Sequence, residues 1–178
     1  SDPEVFREID RRIREKDCDI IIQHSTVADY IPRLGADQRI RAIEMNPEMA
    51  SLDISITRLV TFGGNETVWV MTLPEIEAGA RAMLEREIKP ELEIFNPVLM
   101  EDVDTLIAND LLKKPYYFGF VMGMRRINRA YMPYSPKLVM HLVDALPPDS
   151  MFSVLGIGSD ELPATTLSIL LGGHVRVG

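Results

Sequence analysis

Arg176 stands between Val175 and Val177 near the end of the chain, and Glu93 stands between Leu92 and Ile94 in its middle. On a strand, that alternation sends both polar side chains to the face opposite their apolar neighbours. A guanidinium aimed into an interior suits a carboxylate or a developing oxyanion. An interior carboxylate is expensive unless a cation sits beside it. Two readings stand: Arg176 and Glu93 are working groups, or they are a structural ion pair. Ser25 and Thr26 follow IIIQH directly, where they could bind a substrate carboxylate or carbonyl, or cap a turn. GMRRINR at 123–129, with Arg125, Arg126 and Asn128, reads equally as a grip for an anionic cofactor and as a solvated loop. His24, His141 and His174 share no HxH or HxxxH spacing, so no metal site is visible. The single cysteine, Cys18 in CDIIIQ, reads as a buried thiol, and His141 as a solvated helix residue.

Those side chains have to be placed by the elements around them. DPEVFREIDRRIRE at 2–15 puts Val5, Ile9 and Ile13 on one helical face, with Asp2 as cap and Pro3 at the first helical position. CDIIIQ is a continuous β-branched run of the kind found in a parallel sheet covered on both faces. The alternation then repeats: helix 37–45 and strand 48–55, helix 74–87 and strand 91–96, helix 100–112 and strand 116–123, helix 135–145 and strand 152–158, helix 160–171 and strand HVRVG. Strands joined by helical crossovers are parallel and build an open doubly wound sheet or a closed barrel. Neither GxGxxG after the first strand nor GxxxxGK[ST] is present, which favours the barrel. A full eight-unit barrel takes about 250 residues. The pattern therefore predicts a barrel lacking its first two strands and last helix, a fragment of a longer chain.

In such barrels the working residues lie at the C-terminal ends of the strands and on the loops that follow. That rule collects His24, Ser25 and Thr26; Asp53, Ser55 and Thr57; Glu93 and Asn96; the 123–129 loop; Ser159 and Asp160; and His174 and Arg176. A net charge of -8 argues against a nucleic-acid surface or an anionic membrane, since both need clustered Lys and Arg. With 46% hydrophobic and 26% charged residues, and no apolar run near 18 residues, the composition is that of a soluble globular enzyme in a reducing cytoplasm.

IIIQHST, IEMNPEMASLD, KPELEIFN, LVDALPPDSMFSVLGIG and LPATTLSILLGGHVRVG resemble the β-keto acid cleavage enzyme family. The resemblance runs from Asp2 to Gly178. It implies a (βα)8 TIM barrel, incomplete here, with residues 1–178 as one domain supplying barrel strands three to eight. It implies a retro-Claisen exchange in which a β-keto acid and acetyl-CoA give acetoacetate and an acyl-CoA. By the same resemblance, Arg176 holds the substrate carboxylate or helps the reacting group. Glu93 is the acidic residue of its strand, and Ser25 and Thr26 are substrate contacts. The sequence reads STVAD and DISIT where the family often has glycine-rich versions, so the choice between Ser55 and Thr57 for the remaining contact stays open. Zinc is implied too, but its HxH and Glu ligands and the neighbouring Asp base lie outside this chain, which by itself is expected to be inactive. The resemblance further implies a cytoplasmic homo-oligomer, a tetramer, acting in amino-acid catabolism. Another metal-dependent barrel lyase and an inactive binding or assembly barrel are the alternatives.

Overall fold

A computed structural model describes residues 3–26, 40–54, 56–60, 66–123 and 132–178. Its centre is a parallel sheet of six strands in the order β1, β2, β5, β6, β7, β8: Gln23–His24, Met49–Ile54, Lys89–Ile94, Tyr116–Met122, Ser150–Gly156 and His174–Val175. The six predicted parallel strands are present. Helices α1 (Pro3–Arg14), α2 (Leu73–Glu85), α3 (Met100–Ala108), α4 (Pro136–Asp144) and α5 (Glu161–Leu170) accompany them.

Local chemistry sets the helix ends. Thr72 and Glu75 form a reciprocal capping box at α2, where Thr72 N–H donates to Glu75 Oε2 at 2.8 Å. Ser135 Oγ accepts from Leu138 N–H at 3.2 Å, and Pro136 occupies the first turn of α4. α3 ends four residues before its predicted limit of 112, because Asp110 turns left-handed with φ 56° and stops the helical ladder.

Alternation divides the sheet into two unlike faces. Leu52, Ile54, Leu92, Ile94, Phe118 and Phe120 pack against the helices in one apolar core. The residues between them, Ser51, Asp53, Glu91, Glu93 and Gly119, line the other face. Neighbouring strands are about 4.8 Å apart, so the third and sixth strands of a flat sheet would lie roughly 14 Å apart. Arg176, just beyond the sixth, nevertheless pairs with Glu91 and Glu93 on the third. The sheet is curled, and the polar face is its concave side.

Several expectations are corrected. CDIIIQ is not a covered strand: pairing begins only at Gln23, and Ile20 and Ile21 are exposed. Cys18 is exposed as well, in the link between α1 and β1 rather than within a core strand. α1 turns Phe6 and Asp10, not Val5 and Ile9, towards His24. The described part of the predicted 37–45 helix is a tighter 3-10 segment, Ile40–Met45. Between the second strand and α2, where no element was assigned, lies an antiparallel hairpin, β3 (Ile56–Val60) with β4 (Glu66–Val70), a two-stranded sheet of its own. The C-terminal run is strand only at His174–Val175, and Val175 and Val177 are exposed where burial was expected. No helix among the described residues is long and apolar enough to cross a membrane.

The β7–α5 junction depends on Gly156. A Cβ there would overlap the Asp160 carbonyl and come within 2.8 Å of the Ala164 methyl. Gly156→Ala is expected to lower the unfolding free energy by about 1–3 kcal/mol in urea titrations. Wild-type stability in this variant would show that α5 can retreat freely.

Candidate active site

The concave face carries its charges in two cross-strand rungs. Ser51, Glu91 and Tyr117 share one, and Asp53, Glu93, Gly119 and Ser153 share the next. All of them are drawn from positions that a strand with one apolar face leaves for its other face. Asp53, Glu91 and Glu93 are all buried. Arg176 reaches them from beyond β8, where its backbone N–H donates to the Val154 carbonyl at 3.4 Å and so continues the ladder by one residue. Its Nη1 donates to Glu93 Oε1 in a close contact and to Glu91 Oε2 at 3.4 Å. The Arg176 side chain stays 42% exposed while both carboxylates are nearly covered. The guanidinium is thus held by the two acids, while the side chain as a whole stays partly exposed.

Burial is the largest influence on Glu93 and pushes its carboxyl above the ordinary carboxylate range; Arg176 opposes this, and the negative Glu91 adds to it. Burial would lower Arg176, but Glu93 and then Glu91 raise it, so it remains a cation. The Tyr117 phenol is pushed up chiefly by burial, against the pull of the Ser153 hydroxyl beside it. The face therefore combines a fixed cation, a carboxyl with reason to keep its proton, and a neutral phenol. Such a set can orient an organic acid and hold or yield one proton next to it.

Of the two readings of Arg176 and Glu93, the structure shows the ion pair. Thr26 is buried, its Oγ1 donating to the Ser51 carbonyl at 2.7 Å and its N–H to Ser51 Oγ at 3.0 Å, which fixes the end of β1 against β2. Ser25 is exposed beside it. His24 is not on the concave face. It is buried on the helix side, with Nε2 and Asp10 Oδ1 3.0 Å apart and Nδ1 3.0 Å from the Ala42 carbonyl. Thr57 is on the hairpin, in register with Trp69. Asn96 caps the turn after β5, accepting from Val98 N–H at 3.1 Å. Ser159 and Asp160 lie in the 3-10 turn after β7, and His174 is exposed with its ring 6.0 Å from that of Tyr117. Ser55, Arg125, Arg126 and Asn128 lie outside the described residues. Glu91 and Tyr117 were missed in the sequence. The signal for Glu91 was available, because the two-residue spacing that turns Glu93 inward turns Glu91 inward as well.

Among the described residues no three His, Cys, Asp or Glu side chains gather where they could hold a metal ion. His24 is committed to Asp10 on the helix side, and Glu93 to Arg176 on the concave side. These residues do not fit a zinc centre by themselves.

The raised Glu93 carboxyl couples stability to pH with a definite sign. The native state keeps a proton that the unfolded chain releases near its ordinary value of 4.5. The contribution of Glu93 is therefore complete below that pH and is lost as pH rises through the higher native value. Glu93→Gln is expected to flatten this fall in urea midpoints measured between about pH 4 and pH 8. A fall as steep as that of the wild type would assign the titration to another group.

The profile of the beta-keto acid cleavage enzyme family matches residues 1–178. The chain is 33% identical over 177 residues to a 3-keto-5-aminohexanoate cleavage enzyme of Fusobacterium nucleatum, covering 99% of this chain and 61% of that protein. It is 31% identical over 166 residues to the enzyme of the same name from Acetoanaerobium sticklandii, covering 93% of this chain and 57% of that one. A 3-oxoadipate:acetyl-CoA acetyltransferase of Cupriavidus necator is 28% identical, covering all of this chain and 60% of that protein. Among solved structures, ObcA in ternary complex with a C4-CoA adduct and oxalate superimposes with a TM-score of 0.65 at 21% identity, covering 94% of this chain and 43% of that one. The chain thus spans about three fifths of the length of the curated relatives it matches. Matched along its whole length by the family profile, and a third identical to one of these relatives, it belongs to the beta-keto acid cleavage enzyme family.

Proposed function

We propose that the protein to which these residues belong exchanges acyl groups between a β-keto acid and acetyl-CoA, giving acetoacetate and an acyl-CoA. The observation that carries this reading is the partly exposed side chain of Arg176, braced by buried Glu93 and Glu91 on a curled parallel sheet. Family membership and the acetyl-CoA-dependent relative support it. The exchange balances as written: the bond between the keto carbon and the α-carbon of the β-keto acid and the acetyl–sulfur bond of acetyl-CoA both break, the acyl group passes to the CoA sulfur, and the acetyl group joins the two-carbon acid through a new carbon–carbon bond.

In this reading Arg176 anchors the acid end of the substrate by charge-assisted hydrogen bonds. Glu93, buried behind it, braces the guanidinium through its close contact with Nη1. Ser25, together with Ser55 or Thr57, contacts the substrate, and Thr26 keeps Ser25 in place through its bonds to Ser51. Residues 1–178 form one domain, barrel strands three to eight of a (βα)8 barrel. Zinc belongs to ligands outside these residues, and no step of this reading runs through it. The whole protein is a cytoplasmic homo-oligomer, a tetramer, acting on small molecules.

The test is to incubate the full-length protein with a panel of β-keto acids and acetyl-CoA and follow acetoacetate and new acyl-CoA by mass spectrometry. At least one acid should give both products in equal amounts, and Arg176→Gln should lower kcat/KM by about 100-fold or more. Arg176→Lys should recover only part of that loss, because an ammonium cannot reproduce the two-pronged contact. No acyl-CoA from any acid, or an Arg176→Gln variant with undiminished turnover, would remove the reading.

A further inference from the structure

Glu91 is spent on something other than stability alone. It is a buried carboxylate one rung below Glu93, lying across the strand next to its own. A Cβ on Gly119 of β6 would come within 2.8 Å of Glu91 Oε1, so the missing side chain there is the space the carboxylate occupies. From the opposite direction, Gln23 at the end of β1 donates its Nε2 to Glu91 Oε2 in a close contact. The same Oε2 accepts from Arg176 Nη1 at 3.4 Å. A chain of polar contacts therefore crosses the concave face from the first strand to the residue after the sixth: Gln23, Glu91, Arg176, Glu93.

We propose that Glu91, steadied by Gln23 and given room by Gly119, is a positioning residue that fixes the direction of the Arg176 guanidinium. Glu93 alone fixes one point of contact and leaves the planar group free to swing about it. A second acceptor from the neighbouring rung removes that freedom. The functional consequence rests on the reading of Arg176 as the substrate anchor; the positioning itself does not.

The experiment separates the two. Site-resolved modification of Arg176 by phenylglyoxal, read by peptide mass spectrometry on the full-length protein, reports guanidinium freedom without any turnover. Glu91→Leu, which leaves no acceptor, should raise the Arg176 rate about tenfold, the scale of one lost charge-assisted hydrogen bond, while the other arginines keep their wild-type rates. Glu91→Gln keeps an amide oxygen that accepts from Arg176, and should stay within about threefold of the wild-type rate and retain a matching part of kcat/KM. Gln23→Ala removes the other support of Glu91 from an exposed position, and should give an intermediate rise even where Glu91→Leu fails to fold. An unchanged Arg176 rate in Gln23→Ala and Glu91→Leu, or a general rise at all arginines, would overturn the proposal. Arg176 rates that behave as described in a protein without cleavage activity would overturn the proposed function and leave the positioning role standing.

Discussion

The guanidinium of Arg176 between two covered carboxylates is the constraint on which the concave face is organised. A carboxylate buried there is costly unless a cation meets it, and the cation comes from beyond the sixth strand while the acids come from the third. The sheet must curl for the pair to close. Curvature, polarity of the inner face and placement of the Arg176 cation are thus a single fact seen at three scales.

The opposite face is governed by packing alone. Side chains at alternate positions of β2, β5, β6 and β7 interdigitate with α2 to α5 in a dry cluster that includes Phe118, Phe120 and Leu92. This division of labour leaves the inner rungs free of the need to fill space. Gly119 can then be empty, Glu91 can lie across it, and Ser51 can serve Thr26 rather than the core. At the N-terminal end of the same strands the polar groups close the structure: Lys89 Nζ donates to the carbonyls of Lys113 at 2.7 Å and Pro115 at 2.9 Å. That end secures the loops, whereas the charges of the concave face meet one another.

His24 shows how a residue of chemical type can be absorbed by structure. It sits at the C-terminal end of a strand, where working residues are expected, but one position out of phase with the inner face. Its ring faces the helix layer between Phe6 and Asp10. Ser51 and Thr26 show a different outcome, in which two hydroxyl residues satisfy each other's backbone and so hold the strand end that carries Ser25.

The sequence by itself determined the six parallel strands, the helix caps at Ser135 and Pro136, and the inward turn of Arg176 and Glu93, because each follows from short-range periodicity and local hydrogen bonding. Glu91 was equally legible by that period and was passed over. What only the tertiary structure decided are relations between distant segments. Strand alternation cannot say that Arg176 meets two acids some 85 residues away, one of which is Glu91. Nor can it say that Gly119 is vacant for a neighbour's carboxylate, or that Ile20 and Ile21 are left uncovered. The β3–β4 hairpin belongs to the same class, since its pairing closes on a cross-strand register rather than on a helical or parallel-strand pattern. Local periods fix which face a side chain leaves by; the curl of the sheet fixes whom it meets there.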